Sequence, residues 1–279
     1  IGEQADLTYR YDYLGAGPDS LANLAKSKSD FVKALKEAKA PAIIVGAGAL
    51  AREDGAAVLA AAAAAAKTFN LTWNVLHTAA GRVGALDLGF VPAPGGLTAR
   101  EMARTGAVDL LFLLGADEID TTPSTAFKVY LGTHGDAGAH GADVILPGAA
   151  YTEKDGIYVN TEGRVQLGSR AVFPKGQARE DWSILRALSE RLGHTLPYDT
   201  LAQLRARLFE EHPSFGRIDY VAPAAAVDVA GFGKKGPLAD QPFASPIKAF
   251  HLTNPIARAS VTMAECAAVA SGAAKIAAE

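Results

Sequence analysis

The sequence predicts an α/β fold: a mostly parallel, Rossmann-like sheet flanked by helices, then a hairpin and an extended C-terminal segment. Three observations point there. Apolar runs of strand length recur at Ala42–Val45, Leu71–Leu76, Val108–Leu114, Phe127–Thr133 and Asp143–Leu146. Runs with little polar alternation suit strands buried on both faces, as in parallel sheets. Helical stretches separate them, and alternating strands and helices imply a parallel sheet with right-handed crossovers. Finally, 49% of the 279 residues are hydrophobic, enough to bury a sizeable core in one large or two small domains.

Each element has a local reason. In Ser29–Ala38, apolar residues at 31, 32 and 35 alternate with polar ones, which gives a short amphipathic helix. The strand Ala42–Val45 ends in glycine. Glu53 and Asp54 are then placed in the first turn of a helix, where negative charge is favoured. The alanine-rich run to Lys67 continues it, since alanine is the best helix former and lets a helix lie close to a sheet. The second strand is Leu71–Leu76. Gly84–Gly96 reads as a glycine- and proline-rich loop, and Leu97–Thr105 as a short helix. Val108–Leu114 is the clearest strand and Gly115 ends it. Thr121–Ala126 reads as a helical turn, Phe127–Thr133 as the next strand, and Asp143–Leu146 as the fifth, closed by Pro147.

After Tyr151 the pattern changes. Gly156–Leu167 reads as a hairpin turning at Asn160–Gly163. Arg179–Leu192 is a helix with Trp182, Leu185, Leu188 and Leu192 on one face, and Asp199–Glu211 is another. His212–Pro246 is rich in Pro, Gly and Ala without periodicity and reads as a surface-wrapping segment. A last helix runs from Ile256 to about Ala270. Two regions follow from this pass: an α/β domain over 1–193, and helices with a wrapping segment over 194–279.

Composition narrows the function. Charged residues are 20% of the chain and the net charge is −3, so no basic excess is available to neutralise a nucleic-acid backbone. The longest uncharged apolar run, Gly55–Ala66, is shorter than the ~20 residues a membrane-spanning helix needs. The first residues carry no signal-peptide pattern, and Ile1 reads as an internal cut. The one cysteine, Cys266, makes no internal disulfide and cannot hold an iron–sulfur cluster, which takes four protein ligands. It is expected as a small buried side chain on a helix, with no nearby histidine to activate it.

Four stretches invite a functional reading. GAGALA, Gly46–Ala51, matches the dinucleotide fingerprint between a strand and a helix. That mechanism wants an acid about 20 residues on, and residues 64–77 contain none. A tight strand-to-helix turn is the alternative. LGADEID places Asp117, Glu118 and Asp120 after the strongest strand, at the end where such sheets bind ligands. Three acids would repel a phosphate. They could take Mg²⁺, stay solvated, or pair with nearby Arg or Lys. His134, Asp136 and His140 could be read as a metal set, but their spacing fits no usual zinc pattern, and an exposed glycine-rich loop is the alternative. In YTEKDGIYVNTEGR, Glu153 and Asp155 could do acid–base work if one were buried, beside Lys154. Equally, Asn160, Glu162 and Arg164 suit a turn whose side chains cap the backbone, with Arg164 pairing to Glu153 or Glu162.

The stretch GADVILPGAAYTEKDGIYVNTEGRVQ, followed by GQAREDWSILRALSERLG, resembles the molybdopterin oxidoreductase superfamily. Within it, DLTYRYDYLG, PAIIVGAGAL, VDLLFLLGADEID, YLGTHGDAGAH and SPIKAFHLTNPIARASVTMAECA resemble the C-terminal half of the large iron–sulfur subunit of respiratory complex I, the proton-pumping NADH:quinone oxidoreductase. The resemblance spans residues 6 to 267. It implies that [2Fe–2S] and [4Fe–4S] clusters lie in a cysteine-rich N-terminal region of the parent subunit. Related molybdenum enzymes hold a pterin–guanine cofactor at the strand ends, usually with a Gly-x-Asn contact where this chain has Gly115, Ala116, Asp117 and Glu118. The resemblance therefore implies a chain with no catalytic, cofactor or metal residues of its own. It would be a scaffold in the peripheral arm, packed against other subunits on the cytoplasmic side of a bacterial inner membrane. A free-standing nucleotide-binding enzyme using the GAGALA turn is the alternative, and an assembly-regulating interaction module is a third.

Overall fold

The computed structural model describes residues 1–223 and 227–273, in two units that each draw on separated stretches of chain. The first unit comprises residues 1–83, 159–164 and 221–248; the second comprises 84–158, 165–220 and the chain from 249 on.

In the first unit, helix α1 (Pro18–Asn23) precedes the expected amphipathic helix α2 (Asp30–Glu37). Ser29 caps α2 by accepting from the Val32 amide at 3.4 Å, and Val32 is buried. Strand β1 (Ala42–Gly46) leads to a one-turn helix α3 (Ala47–Leu50), and then to the alanine-rich helix α4 (Gly55–Phe69). Because α3 intervenes, Glu53 and Asp54 fall before the first turn of α4 rather than in it. Asn70 ends α4 in the left-handed conformation (φ 53°), its amide bonded back to Ala66. Strand β2 (Thr72–Leu76) pairs parallel with β1, from Ala42 opposite Thr72 to Gly46 opposite Leu76. Ala65 and Phe69 of α4 pack with Leu24 and Val32 to form this unit's core cluster.

Helix α5 (Arg82–Asp87) corrects the expectation of loop throughout Gly84–Gly96. RVGALD has enough local helix propensity to close a turn, which Leu88 extends by bonding to the Gly84 carbonyl at 3.0 Å. Helix α6 (Ala99–Met102) starts from a full capping box between Thr98 and Glu101. Strands β3 (Leu110–Leu114), β4 (Phe127–Gly132) and β5 (Val144–Pro147) form a parallel sheet in the order β3-β4-β5. Thr121–Ala126 makes a hydrogen-bonded turn, not a helix. There the Asp120 carboxylate accepts from the Thr122 amide and leads the chain into a bend. Helix α7 (Ala137–His140) follows β4. Leu111, Leu113, Ala126, Tyr130 and Ala139 make the second unit's buried cluster. The parallel α/β architecture is the one expected, with its strands distributed over two sheets.

Strands β6 (Gly156–Val159) and β7 (Val165–Gly168) form the expected hairpin. Helices α8 (Asp181–Arg191) and α9 (Leu201–Glu211) are also present, the second with a Thr200–Gln203 capping box. Leu192 lies beyond α8 and is exposed, so it does not extend the apolar face of Trp182, Leu185 and Leu188. The stretch His212–Pro246 carries one 3₁₀ turn, Pro213–Gly216, and is otherwise irregular where described; residues 224–226 lie outside the described residues. The single last helix expected from Ile256 is two, α10 (Pro255–Arg258) and α11 (Val261–Ala270), because Ser260 caps a new start by accepting from the Met263 amide. Cys266 on α11 is exposed, not buried. That helix, largely apolar apart from Thr262 and Glu265, has no buried residue. Among the described residues no helix is long and apolar enough to cross a membrane.

Candidate functional site

The ends of the parallel strands are where an α/β sheet binds ligands. In the first unit, β1 delivers Gly46 and the GAGALA turn as the fingerprint predicts. The short helix α3 and a further turn, however, hold the N-terminus of α4 away from the second glycine. A Cβ at Gly48 would meet the Pro246 ring at 2.6 Å. The close backbone approach that a fingerprint reserves for pyrophosphate is taken here by the chain's own wrapping segment. That segment is clamped from below. The Arg52 guanidinium holds Asp54 at 2.7 and 3.2 Å and donates to the Gln241 and Pro242 carbonyls at 2.9 and 3.0 Å. It also lies 5.3 Å from the centre of the Phe243 ring. Asp54 in turn accepts from the Ala239 amide at 2.9 Å. Arg52, and secondarily the Ala239 amide, pull the Asp54 carboxyl below its ordinary range.

At the end of β3 in the second unit, each acid has a partner from the chain. Asp117 accepts from the Gly138 amide at 2.9 Å and from the Tyr130 hydroxyl at 3.1 Å. Burial, and then the neighbouring Asp117, raise the Tyr130 hydroxyl far above its usual range, so it stays a donor. Asp136 caps α7 through the Ala137 amide and pairs with Arg258 from α10; Arg258 also donates to Glu118 at 3.1 Å. Burial works against the Arg258 charge, but Asp136 and Glu118 more than offset it and raise its pKa. Asp120 is the local turn cap described above. The pairing of acids with nearby arginine, one of the sequence alternatives, thus holds for Glu118 and Asp136, while Asp117 pairs with a tyrosine and a backbone amide. Gly138 is buried, and a Cβ there would stand 2.7 Å from the Tyr130 ring and 2.8 Å from the Ala116 carbonyl. Gly138→Ala is accordingly expected to cost about 1–3 kcal/mol of stability. Urea denaturation with an unchanged midpoint would show that the contact yields freely.

His134 is in the left-handed conformation (φ 62°) with its Nδ1 2.7 Å from the Thr133 hydroxyl, and His140 ends α7, exposed. Among the described residues, no three His, Cys, Asp or Glu side chains converge as a metal site. In the Glu153 loop, Glu153 accepts from the Ala150 amide at 3.0 Å, Lys154 pairs with Asp181, and Asp155 accepts from the Arg170 amide at 2.9 Å. At the hairpin turn, Asn160 accepts from the amides of Glu162 and Arg164 at 2.9 and 3.0 Å. Arg164 approaches Glu162 at 3.5 Å, the second of its two expected partners. The capping reading describes this stretch. The residues that do most here, Pro246, Tyr130 and Arg258, carry no signal in the sequence, because their partners lie far along the chain.

Comparison with known proteins bears on the same stretches. Residues 1–191 match the family described as molybdopterin oxidoreductase, and residues 220–266 match the family of the C-terminal region of the G-type subunit of NADH-ubiquinone oxidoreductase. The chain is 42% identical over 277 residues to the potato (Solanum tuberosum) mitochondrial NADH dehydrogenase [ubiquinone] iron-sulfur protein 1, an alignment covering 96% of this chain and 37% of that protein. It is 41% identical over 283 residues to the Neurospora crassa mitochondrial NADH-ubiquinone oxidoreductase 78 kDa subunit, with the same coverage of 96% and 37%. It is also 41% identical over 277 residues to the Candida albicans mitochondrial 78 kDa subunit, covering 94% and 37%. The chain thus spans little more than a third of the length of these relatives.

Proposed function

The chain belongs to the molybdopterin oxidoreductase family, and from that premise we propose that it is a non-catalytic scaffold region of the large iron–sulfur subunit of an NADH:quinone oxidoreductase. In this reading, [2Fe–2S] and [4Fe–4S] clusters elsewhere in the longer polypeptide carry electrons from NADH toward quinone. These 279 residues hold that part and the neighbouring subunits in place. The segment lies in the peripheral arm and meets the membrane only through the complex, on the cytoplasmic side in a bacterium or the matrix side in a mitochondrion.

One observation carries the reading: the positions that the sequence marks for a ligand, Gly48 after β1 and Asp117 after β3, are engaged from within the chain. Pro246 stands on Gly48, and Asp117 is bonded to Tyr130 and Gly138. The second edge does not suit a pterin–guanine nucleotide. Asp117, Glu118 and Asp136 would face an anionic cofactor, and the cation beside them, Arg258, is already shared by two of these acids. No chemical step is assigned to the segment.

The test is elemental analysis of the purified native complex. Iron and acid-labile sulfide are expected in near-integer amounts, with molybdenum at trace level; stoichiometric molybdenum assigned to this subunit would sink the scaffold reading. The competing reading, a nucleotide-binding enzyme using Gly46–Ala51, predicts saturable micromolar binding when the chain is titrated with NADH, seen in nicotinamide fluorescence. None is expected.

A further inference from the structure

The loop that follows β7 in the second unit holds apolar side chains out into water. Val172 is 54% exposed and Phe173 76%. The amides of Ala171 and Val172 donate to the Thr152 carbonyl at 2.9 and 3.2 Å, which brings the 3₁₀ turn Tyr151–Glu153 alongside, and Tyr151 is 63% exposed. One apolar side chain in water is ordinary, but a group of large ones marks a contact surface. The loop is also tied down. Asp155 accepts from the Arg170 amide at 2.9 Å, and the Arg179 amide donates to the Pro147 carbonyl at 3.1 Å. The Phe173 ring lies 4.3 Å from the Arg170 guanidinium, which stands 3.8 Å from Glu180, and Glu180 accepts from the Trp182 indole at 2.7 Å. The exposed ring is thus held in place from behind, so little freedom remains to be lost when something binds it.

The charge around it has one sign. Residues 163–179 carry Arg164, Arg170, Lys175 and Arg179 and no acid, in a chain whose net charge is −3. The acids on the neighbouring stretches are engaged within the unit: Glu153 with the Ala150 amide, Asp155 with the Arg170 amide, Glu180 with Arg170 and Trp182, and Asp181 with Lys154. Lys175 and Arg179 are both exposed, and among the described residues neither has a carboxylate partner; Arg179 donates only to the Ala178 carbonyl beside it. Aromatic anchors at the centre and charge at the rim are the anatomy of a protein–protein contact.

We infer that this loop docks on a different subunit of the complex, at a surface with an apolar pocket for Phe173 flanked by Asp or Glu side chains for Lys175 and Arg179. The inference rests on the scaffold reading above and names one face through which the scaffold holds a neighbour. Charge selects the occupant. A second copy of this chain, in a two-fold contact through the same loop, would set Lys175 and Arg179 against their own like charges. An acidic surface pairs them, and its complementarity fixes the register of the contact while the ring supplies the apolar anchor.

The experiment starts from the unmodified native complex. A water-soluble carbodiimide joins an amine to a carboxylate already in contact with it, and mass spectrometry identifies the joined peptides. The expected product links Lys175 to an Asp or Glu of a different subunit. A Lys175 link confined to this polypeptide or to a second copy of it overturns the assignment, and so does the absence of any Lys175 link. A photo-crosslinking benzoylphenylalanine in place of Phe173 is then expected to capture the same subunit on irradiation, and capture of lipid or solvent alone overturns it. Should that variant fail to assemble, the pair Lys175→Glu and Arg179→Glu keeps the ring and reverses the rim. It is expected to weaken retention of that subunit at least ~10-fold, and unchanged retention overturns the proposal. The molybdenum assay is independent of these results. A molybdenum-bearing complex would remove the scaffold reading and leave a mapped contact standing, whereas a molybdenum-free complex without the Lys175 link would do the reverse.

Discussion

Arg52→Ala is expected to destabilise the first unit by about 3 kcal/mol and to release the wrapping segment from α4. The size follows from what the change leaves behind. Asp54 is 8% exposed and Arg52 18%, so deleting the cation strands a mostly buried carboxylate, and breaking a buried pair costs about 3–5 kcal/mol. The lower end applies because the Ala239 amide still donates to Asp54. The Gln241 and Pro242 carbonyls lose their donor as well. Trp73 is a local reporter: it lies in the first unit, edge-on to Phe232 of the wrapping segment, with ring centres 5.4 Å apart. Urea denaturation followed by Trp73 fluorescence, in a Trp182→Phe background, reads the loss. Arg52→Lys keeps the charge but not the planar fork that reaches a carboxylate and two carbonyls together, so it is expected to recover less than half.

The same pair predicts a pH dependence. Asp54 has its carboxyl lowered in the folded chain, by Arg52 first and the Ala239 amide second. A depressed acid stabilises the fold above its unfolded value, about 3.9, and that contribution fades as pH falls through the folded value. The stability gap between wild type and Arg52→Ala is therefore expected to be full at pH 7 and to narrow below about pH 4. A gap that stays constant down to about pH 2 would mean that Arg52 acts by packing on Phe243, not through Asp54.

How much of this is legible in the sequence divides along physical lines. The five parallel strands and α2 are readable because strands of a parallel sheet are written as short, largely apolar runs, and a 3.6-residue period writes an amphipathic helix. The hairpin at Asn160 is readable because its turn chemistry is local: Asn160 accepts from amides two and four residues on. Errors come where a local signal is outvoted. Glu53 and Asp54 look like first-turn acids, but α3 shifts the start of α4 to Gly55. Cys266 and Leu192 look like core residues, but nothing described in the chain covers them. The fingerprint at Gly46–Ala51 is a true strand-to-helix turn, and only the distant Pro246 shows that the space above Gly48 is filled. The same holds at the end of β3. The acids are visible, yet their partners Tyr130 and Arg258 come from other elements, and no spacing rule connects them.

Tyr130 is where the second unit's core and its acidic edge meet, so its truncation is expected to be the most damaging single change there. The side chain is 1% exposed and packs within the cluster of Leu111, Leu113, Ala126 and Ala139. Tyr130→Ala removes a whole aromatic ring from a close-packed site and is expected to cost about 3–5 kcal/mol, depending on how far the cluster collapses. Tyr130→Phe keeps the ring and removes only the hydroxyl that donates to Asp117 at 3.1 Å. A hydrogen bond to a charged group contributes about 1.5–3 kcal/mol, and the half-buried Asp117 keeps its Gly138 amide, so a loss near the lower figure is expected. Asp117→Asn in the Tyr130→Phe background should add little beyond the lost charge on the Gly138 amide, since the two changes remove one shared interaction. Trp182, in the second unit, reports these transitions when Trp73 is replaced by phenylalanine. If Tyr130→Phe proved as costly as Tyr130→Ala, the hydroxyl–carboxylate bond and not the packed ring would be what holds the end of β3 closed. The acidic edge would then be the site to probe for a ligand after all.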